Sequence, residues 1–154
     1  MKRSTYTLMD ELMASPSAPM PEEFRRHQLS RMWQGLRSLE LDDKPSTDDW
    51  RVVSDAVNLL ETLVDLKLIE DASGLLVDAI EALAMAGKRH MAGQRLGLTG
   101  SGIKTIRAVL EDYEMCLNSL SARAMVRAHR KTEARIRDIL AGRRKPHDVE
   151  VMAL

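Results

Sequence analysis

Apolar side chains recur at spacings of three and four residues over most of this chain. In an α-helix this spacing places the side chains on one face, whereas a strand would need alternation. The clearest example is a stripe about five turns long that consists of Trp50, Val53, Val57, Leu60, Leu63 or Val64, and Leu68. The pattern predicts amphipathic helices that bury one face against each other.

The residue types agree with helix packing. The chain of 154 residues contains ten Met, but only one Phe, two Trp and two Tyr. A core of Leu, Val, Ala and Met is typical of packed helices, while a β-sandwich favours aromatic and β-branched residues. We therefore expect an all-α protein, either a helical bundle or an irregular all-α domain, of about five helices.

A proline-rich linker separates an N-terminal arm from the rest of the chain. Three prolines fall within residues 15–21, a spacing that a helix does not tolerate. The arm and linker together form residues 1–20, and residues 21–154 form a single α-helical domain. The arm is expected to dock on that domain or on a partner. Its residues 5–14 predict a short helical turn that carries, on one side, Leu8, Met9, Leu12 and Met13.

Start and stop signals divide the domain into helices. Pro21 suits the first helical position, and Thr47 is expected to cap the second helix. Residues 75–86 are apolar on most sides, which predicts a helix in the middle of the fold. Glycines predict a loop over residues 96–102 and the end of the last helix at Gly142. The predicted helices cover residues 21–41, 47–68, 75–90, 103–117 and 122–141, and the tail, residues 147–154, alternates as an extended segment would.

The formal net charge is zero, but the charges are segregated along the chain. Residues 40–81 contain twelve acidic and three basic side chains, a net charge of −9. Residues 116–147 contain nine Lys or Arg and two acidic side chains, a net charge of +7. The pattern predicts an acidic central region and a basic C-terminal region that either pack together or form two separate binding faces.

The basic region is the candidate binding site. Seven of its nine cations are Arg, which binds carboxylate and phosphate through two hydrogen bonds at once. The apolar stripe beneath them is thin, so this helix is free to lie on an acidic or phosphate-bearing surface. Three partners stay open: the acidic region of the same chain, another protein, and nucleic acid. The candidate residues are Arg123, Arg127, Arg130, Lys131, Arg135, Arg137, Arg143, Arg144 and Lys145.

No catalytic or cofactor motif is found, so no enzyme activity and no cofactor are expected. The pairs Glu23–His27 and His129–Glu133 have helical spacing that could hold a metal, but ordinary pairing on a solvated face explains both. Cys116 is the single cysteine, which excludes an intrachain disulfide and predicts a structural thiol. With neither a signal peptide nor an apolar run long enough to span a membrane, we expect a soluble, cytoplasmic protein with no membrane partner.

Three segments carry a resemblance to a group of known proteins: MPEEFRRHQL at residues 20–29, DDWRVVSDAV at 48–57 and AGRRKPHDV at 141–149. Together they resemble small uncharacterised helical proteins of proteobacterial phages and mobile elements. The resemblance implies a regulator, or an inhibitor of host defence, and it transfers no activity to particular residues.

The expected function is therefore that of a non-enzymatic interaction protein. It would bind a host protein or protein complex through charged helical faces and regulate or inhibit it, including an anti-CRISPR-type role. The alternative is a DNA-binding transcriptional regulator that uses the basic C-terminal helix. A homodimer is also consistent with the apolar stripes.

Overall fold

The computed structural model describes residues 4–98 and 100–142, and these residues form helices and no strand. The prediction of an all-α bundle is confirmed. The described ranges contain six helices rather than five, because the arm forms a helix of its own. The helices are α1 (Leu8–Met13), α2 (Glu22–Leu41), α3 (Thr47–Asp65), α4 (Leu76–Met91), α5 (Gly100–Ser119) and α6 (Ala122–Leu140).

Helix α3 is the centre of the bundle, since it packs against α2, α4, α5 and α6. Trp50, at its start, is fully buried, and its indole N–H donates to the carbonyl of Leu83 on α4 over 3.1 Å. The prediction that residues 75–86 lie in the middle was wrong. Val77 and Met85 on α4 are exposed, because only the face that carries Leu83 turns towards α3.

The two ends of α3 differ from the prediction by a few residues. Ser46, and not Thr47, caps the helix: its hydroxyl accepts from the backbone N–H of Asp49, whose carboxylate accepts from the backbone N–H of Ser46. This reciprocal capping box favours the earlier start. At the other end Leu68 lies beyond the helix, because the chain turns at Lys67, which has a φ of 57°.

The glycine-rich stretch is a loop only in its first half. Leu96 and Leu98 are buried, and the backbone N–H of Leu98 donates to the carbonyl of Leu39 at the end of α2 over 3.0 Å. Helix α5 begins at Gly100, so the predicted loop over 96–102 was too long. The side chains of Leu96 and Leu98 attach this segment to the core, which a pattern of glycines does not reveal.

Helices α2 and α3 approach closely at Gly35. A Cβ atom at this position would lie 3.0 Å from the backbone oxygen of Asp49. Helix α2 also contacts α5, where the indole N–H of Trp33 donates to Glu114 over 3.1 Å. Helices α2 and α5 therefore contact each other as well as α3.

Helix α6 ends as predicted, since Gly142 has a φ of 74°, which favours glycine. The predicted extended tail, residues 147–154, lies outside the described residues, as do Arg143, Arg144 and Lys145. In the described part of the chain, no helix is both long enough and apolar enough to cross a membrane.

Candidate interaction site on the N-terminal arm and helix α6

The N-terminal arm lies antiparallel along helix α6. At the start of α6 the backbone N–H groups of Ala122 and Arg123 donate to the carbonyls of Ala18 and Ser15 over 2.8 and 2.9 Å. Further along α6, both carboxylate oxygens of Glu133 accept from the backbone N–H of Thr5 over 3.1 Å. Residue numbers rise along the arm as they fall along α6. The arm is therefore held in a defined register over more than three turns of helix.

Three arginines of α6 fasten the arm through polar contacts. The guanidinium of Arg123 donates to the carbonyl of Leu12 over 2.8 Å. Arg130 forms an ion pair with Glu11 at 3.0 Å, in which both side chains are at most about a third exposed. The third arginine, Arg137, donates to the hydroxyl of Ser4 over 2.6 Å. Charge-assisted hydrogen bonds of this kind fix orientation as well as adding stability.

An aromatic contact completes the attachment. The ring of Tyr6 packs edge-on against the ring of His129, with the two centroids 5.4 Å apart. Burial raises the pKa of Tyr6, and the carboxylates of Asp10 and Glu133 raise it further. Burial lowers the pKa of His129, and the Glu133 carboxylate opposes that shift. The imidazole is therefore neutral at neutral pH, and its contact with Tyr6 is a packing contact between two rings.

Helix α1 turns its apolar side away from the protein. Its side chains Leu8, Met9, Leu12 and Met13 are 54%, 64%, 54% and 78% exposed. Of its two acidic residues, Glu11 faces α6 and Asp10 is exposed. An ordinary surface helix does the opposite, with apolar residues towards the core. We call the surface formed by these four side chains the α1 ridge.

The short helix is formed locally as well as by docking. Thr7 caps α1, since its hydroxyl accepts from the backbone N–H of Asp10, and the Asp10 carboxylate accepts from the backbone N–H of Thr7 over 2.7 Å. This hydrogen bond lowers the pKa of Asp10. A helix of six residues does not persist alone in water. The capping box and the contacts with α6 together hold the α1 ridge in place.

The predicted basic residues serve different purposes in the structure. Arg123, Arg130 and Arg137 hold the arm, as described above. The side chain of Arg135 is buried against the acidic region: it lies 3.4 Å from Glu61 and 3.5 Å from Asp65 on α3. Of the three partners considered for the basic region, Arg135 thus contacts the acidic region of the same chain.

Three basic residues of α6 are exposed, and one of them, Arg137, contacts the arm. Arg127 and Lys131 face solvent, and among the described residues neither forms an ion pair. Lys131 lines a cavity of about 330 Å³ between the arm and α6, which Leu8, Arg130, Arg137 and Glu133 also line. Arg130 is paired with Glu11, so Lys131 and Arg137 outweigh the single carboxylate of Glu133, and the cavity favours an anionic group. It opens directly beside the α1 ridge.

A second, smaller cavity of about 110 Å³ lies among α2, α3, α5 and α6. Gln28, Asp55, Tyr113 and His129 are among the residues that line it. Burial raises the pKa of Tyr113 to about 12, helped by the nearby Asp55 carboxylate. Tyr113 and His129 are therefore both neutral hydrogen-bonding groups at neutral pH. A polar cavity of this size is suited to a few ordered water molecules.

The residues considered for metal binding and redox chemistry have other surroundings. Glu133 accepts from the arm and His129 packs on Tyr6, so this pair is part of the arm attachment. Within residues 4–98 and 100–142, no group of three or more potential ligands is placed to hold a metal. Cys116 is partly buried, and burial raises its pKa, with a contribution from Asp112. A raised pKa keeps this thiol protonated and unreactive.

The sequence pattern did not indicate the arm contacts of Ser4, Thr5, Tyr6 and Glu11. The signals that point to a helix here are the capping box at Thr7 and the four apolar residues that follow. Which side that helix presents depends on α6, more than a hundred residues away. The site is known from the structure alone, since the chain matches no family model, no curated protein and no solved structure.

Proposed function

We propose that this chain is a non-enzymatic interaction protein that binds another protein through the α1 ridge and the adjoining basic side chains of α6. The observation that carries the proposal is the outward orientation of the apolar side of α1. Leu8, Met9, Leu12 and Met13 lie within two turns, each more than half exposed. A contiguous apolar patch, unlike scattered exposed residues, marks an interaction site.

The distribution of exposed apolar side chains supports this choice of surface. Eleven large apolar side chains are exposed in the described part of the chain, and four of them lie on the six residues of α1. Of the other seven, three lie at least six residues apart on α4, and the rest occur singly elsewhere, for example Met115 on α5. Methionine adapts its shape to a partner surface, which suits Met9 and Met13 to a contact.

The way the arm is attached also supports binding rather than catalysis. The charged and polar side chains that the structure brings together on α6, such as Arg130 and Glu133, are used to hold the arm. The arm is thus ordered before a partner arrives, which lowers the entropy lost on binding. We infer that the attachment exists to present the α1 ridge.

The resemblance to small phage and mobile-element proteins supplies the kind of partner. On that basis we propose a host protein complex, with regulation or inhibition as the result of binding. An anti-CRISPR-type role is one such result. This part of the proposal depends on the resemblance and not on the α1 ridge.

Binding of DNA by α6 is the second candidate, favoured by the exposed side chains of Arg127 and Lys131. Four other cations of α6 are engaged by the arm or by α3, which leaves a smaller basic surface than the sequence indicates. Non-specific DNA binding depends on the number of phosphates neutralised. We therefore place DNA binding behind protein binding.

Two matched double variants test the proposal. Met9→Gln/Met13→Gln alters the α1 ridge, and Met91→Gln/Met115→Gln makes the same change at positions of similar exposure elsewhere, 75% and 70%. All four side chains are exposed, so both variants should fold as stably as the wild type. Each tagged protein is used to capture partners from host cells, and bound proteins are quantified by mass spectrometry.

The proposal predicts that one set of host proteins is retained by the wild type and by the Met91/Met115 variant. The Met9/Met13 variant should retain at most about a tenth of the amount of these proteins that the wild type retains. Equal retention by both variants would contradict the proposed surface. If nothing is retained but duplex DNA binds with a steep salt dependence that Arg127→Glu/Lys131→Glu removes, the DNA-binding candidate replaces it.

A further inference from the structure

We propose that α1 binds as an inserted helix, and that its partner is a protein with an apolar groove whose rim carries acidic side chains. This inference rests on the proposed function and specifies the chemistry of the partner. Three features of the described residues support it: the shape of the α1 ridge, its attachment, and the charges beside it.

The α1 ridge has the pattern of a helix that fits into a groove. Leu8 and Leu12 are four residues apart, and so are Met9 and Met13, so the ridge consists of two adjacent rows. At 3.6 residues per turn they form a stripe about 140° wide. Peptide helices recognised by apolar grooves also use anchors three and four residues apart.

The ridge is convex, because α1 lies on top of α6 and not between helices. Among the bundle helices, α1 packs on α6. A convex ridge buries most area in a concave surface, whereas two convex ridges touch along a line. This shape favours a groove on a different protein over the same ridge on a second copy.

The charges beside the α1 ridge favour acidic side chains at the rim of that groove. On the α6 side, Leu8 shares the 330 Å³ cavity with Lys131, Arg130 and Arg137. Arg130 is paired with Glu11, and Glu133 adds one negative charge, so Lys131 and Arg137 leave a net charge of about +1 in the cavity. Arg127 lies one turn from Lys131 and is exposed. An Asp or Glu side chain on the partner's rim can enter this cavity while the groove covers Leu8. Such charge complementarity increases specificity and the association rate.

The test uses a photo-crosslinking amino acid, p-benzoylphenylalanine, placed singly in the full-length chain. It replaces Leu12 on the ridge, Lys131 beside the cavity, or Met115 as an exposed control. Each protein is irradiated in host cells, and the crosslinked peptides are sequenced by mass spectrometry. We expect the Leu12 and Lys131 positions to crosslink the same protein, with apolar residues at the Leu12 contact and Asp or Glu at the Lys131 contact.

Other outcomes separate the two proposals. A partner crosslinked from Lys131 but not from Leu12 would overturn the inserted helix and leave the proposed protein-binding function standing. A second copy of this chain, or lipid, as the main product from Leu12 would also overturn the inserted helix. A Lys131 contact without acidic residues would overturn the acidic rim, and no crosslink from either position would contradict both proposals.

A charge-reversal variant gives a second measurement. Lys131→Glu should weaken capture of the crosslinked protein several-fold at low salt and much less at high salt, because exposed charge pairs are screened. Lys104→Glu, an exposed lysine on α5, is the matched control and should have no effect. Equal capture by the two variants at low salt would overturn the acidic rim.

Discussion

Replacing Arg135 tests whether this residue supports the fold rather than a partner. Arg135 is 7% exposed and lies within 3.5 Å of two carboxylates on α3. The Glu61 side chain is 15% exposed, whereas that of Asp65 is 59% exposed and stays hydrated without its partner. The substitution Arg135→Met removes the cation but keeps most of the side-chain volume. The main loss therefore falls on Glu61, which is left nearly buried without this cation.

Removing one member of a buried ion pair typically costs about 3–5 kcal/mol of the free energy of unfolding. Because Asp65 is hydrated and Glu61 is not fully buried, we expect Arg135→Met to cost about 3 kcal/mol, at the lower end of that range. Arg135→Met/Glu61→Leu replaces both charges with apolar groups. The free energy of unfolding of this double variant should lie within about 1 kcal/mol of the wild-type value, since a well-packed apolar pair can substitute for a buried ion pair.

Urea denaturation followed by far-ultraviolet circular dichroism measures these free energies, provided that the denaturant dependence is unchanged among variants. Arg127→Met is the matched control, because Arg127 lies on the same helix and is exposed. It should change the free energy of unfolding by about 0.5 kcal/mol or less. The reasoning fails if Arg135→Met costs no more than Arg127→Met, or if the double variant is as unstable as the sum of its two single variants.

Three further predictions concern stability. Ser46→Ala should lower the free energy of unfolding by about 1 kcal/mol, because it removes the N-cap of α3. Thr47→Ala should lower it clearly less. Equal losses in urea denaturation would contradict the capping assignment. Gly35→Ala should destabilise by about 1–2 kcal/mol despite the higher helix propensity of Ala, because the new Cβ meets the backbone oxygen of Asp49 at 3.0 Å; a gain in thermal stability would refute the close approach. Since burial lowers the pKa of His129 below its ordinary value of 6.5, the unfolded chain binds more protons, and stability should fall as the pH drops through 6.5. Between about pH 7.5 and 5.5 the free energy of unfolding of His129→Gln should fall less than that of the wild type. An identical fall in the two proteins would show that His129 does not contribute to the pH dependence.

The fold class was predictable because apolar spacing identifies which residues share a helix face. The stripe from Trp50 to Leu63 is buried as expected. Boundaries were less accurate where a neighbouring residue offered an equivalent cap, as Ser46 does beside Thr47. The position of α4 was wrong because Ala-rich sequence resembles a central helix, although Val77 and Met85 are exposed.

The candidate site was only partly predictable from the sequence. The pattern placed Leu8, Met9, Leu12 and Met13 on one side of a short helix, which is confirmed. It could not show whether that side faces the protein or the solvent, because this depends on Glu11 meeting Arg130, 119 residues away. For the same reason, a count of basic residues in α6 could not separate Arg135, which is buried, from Lys131, which is exposed.

The central claim is that the arm lies along α6 in a fixed register with the α1 ridge outward. The most direct measurement is a nuclear Overhauser spectrum of the full-length protein, with Tyr6 and His129 assigned by substitution. The edge-on rings, 5.4 Å apart between centroids, predict cross-peaks between Tyr6 and His129 ring protons. Absence of these cross-peaks, in a sample where the buried Trp50 indole still shows contacts with α4, would mean that the arm is detached and would contradict the account.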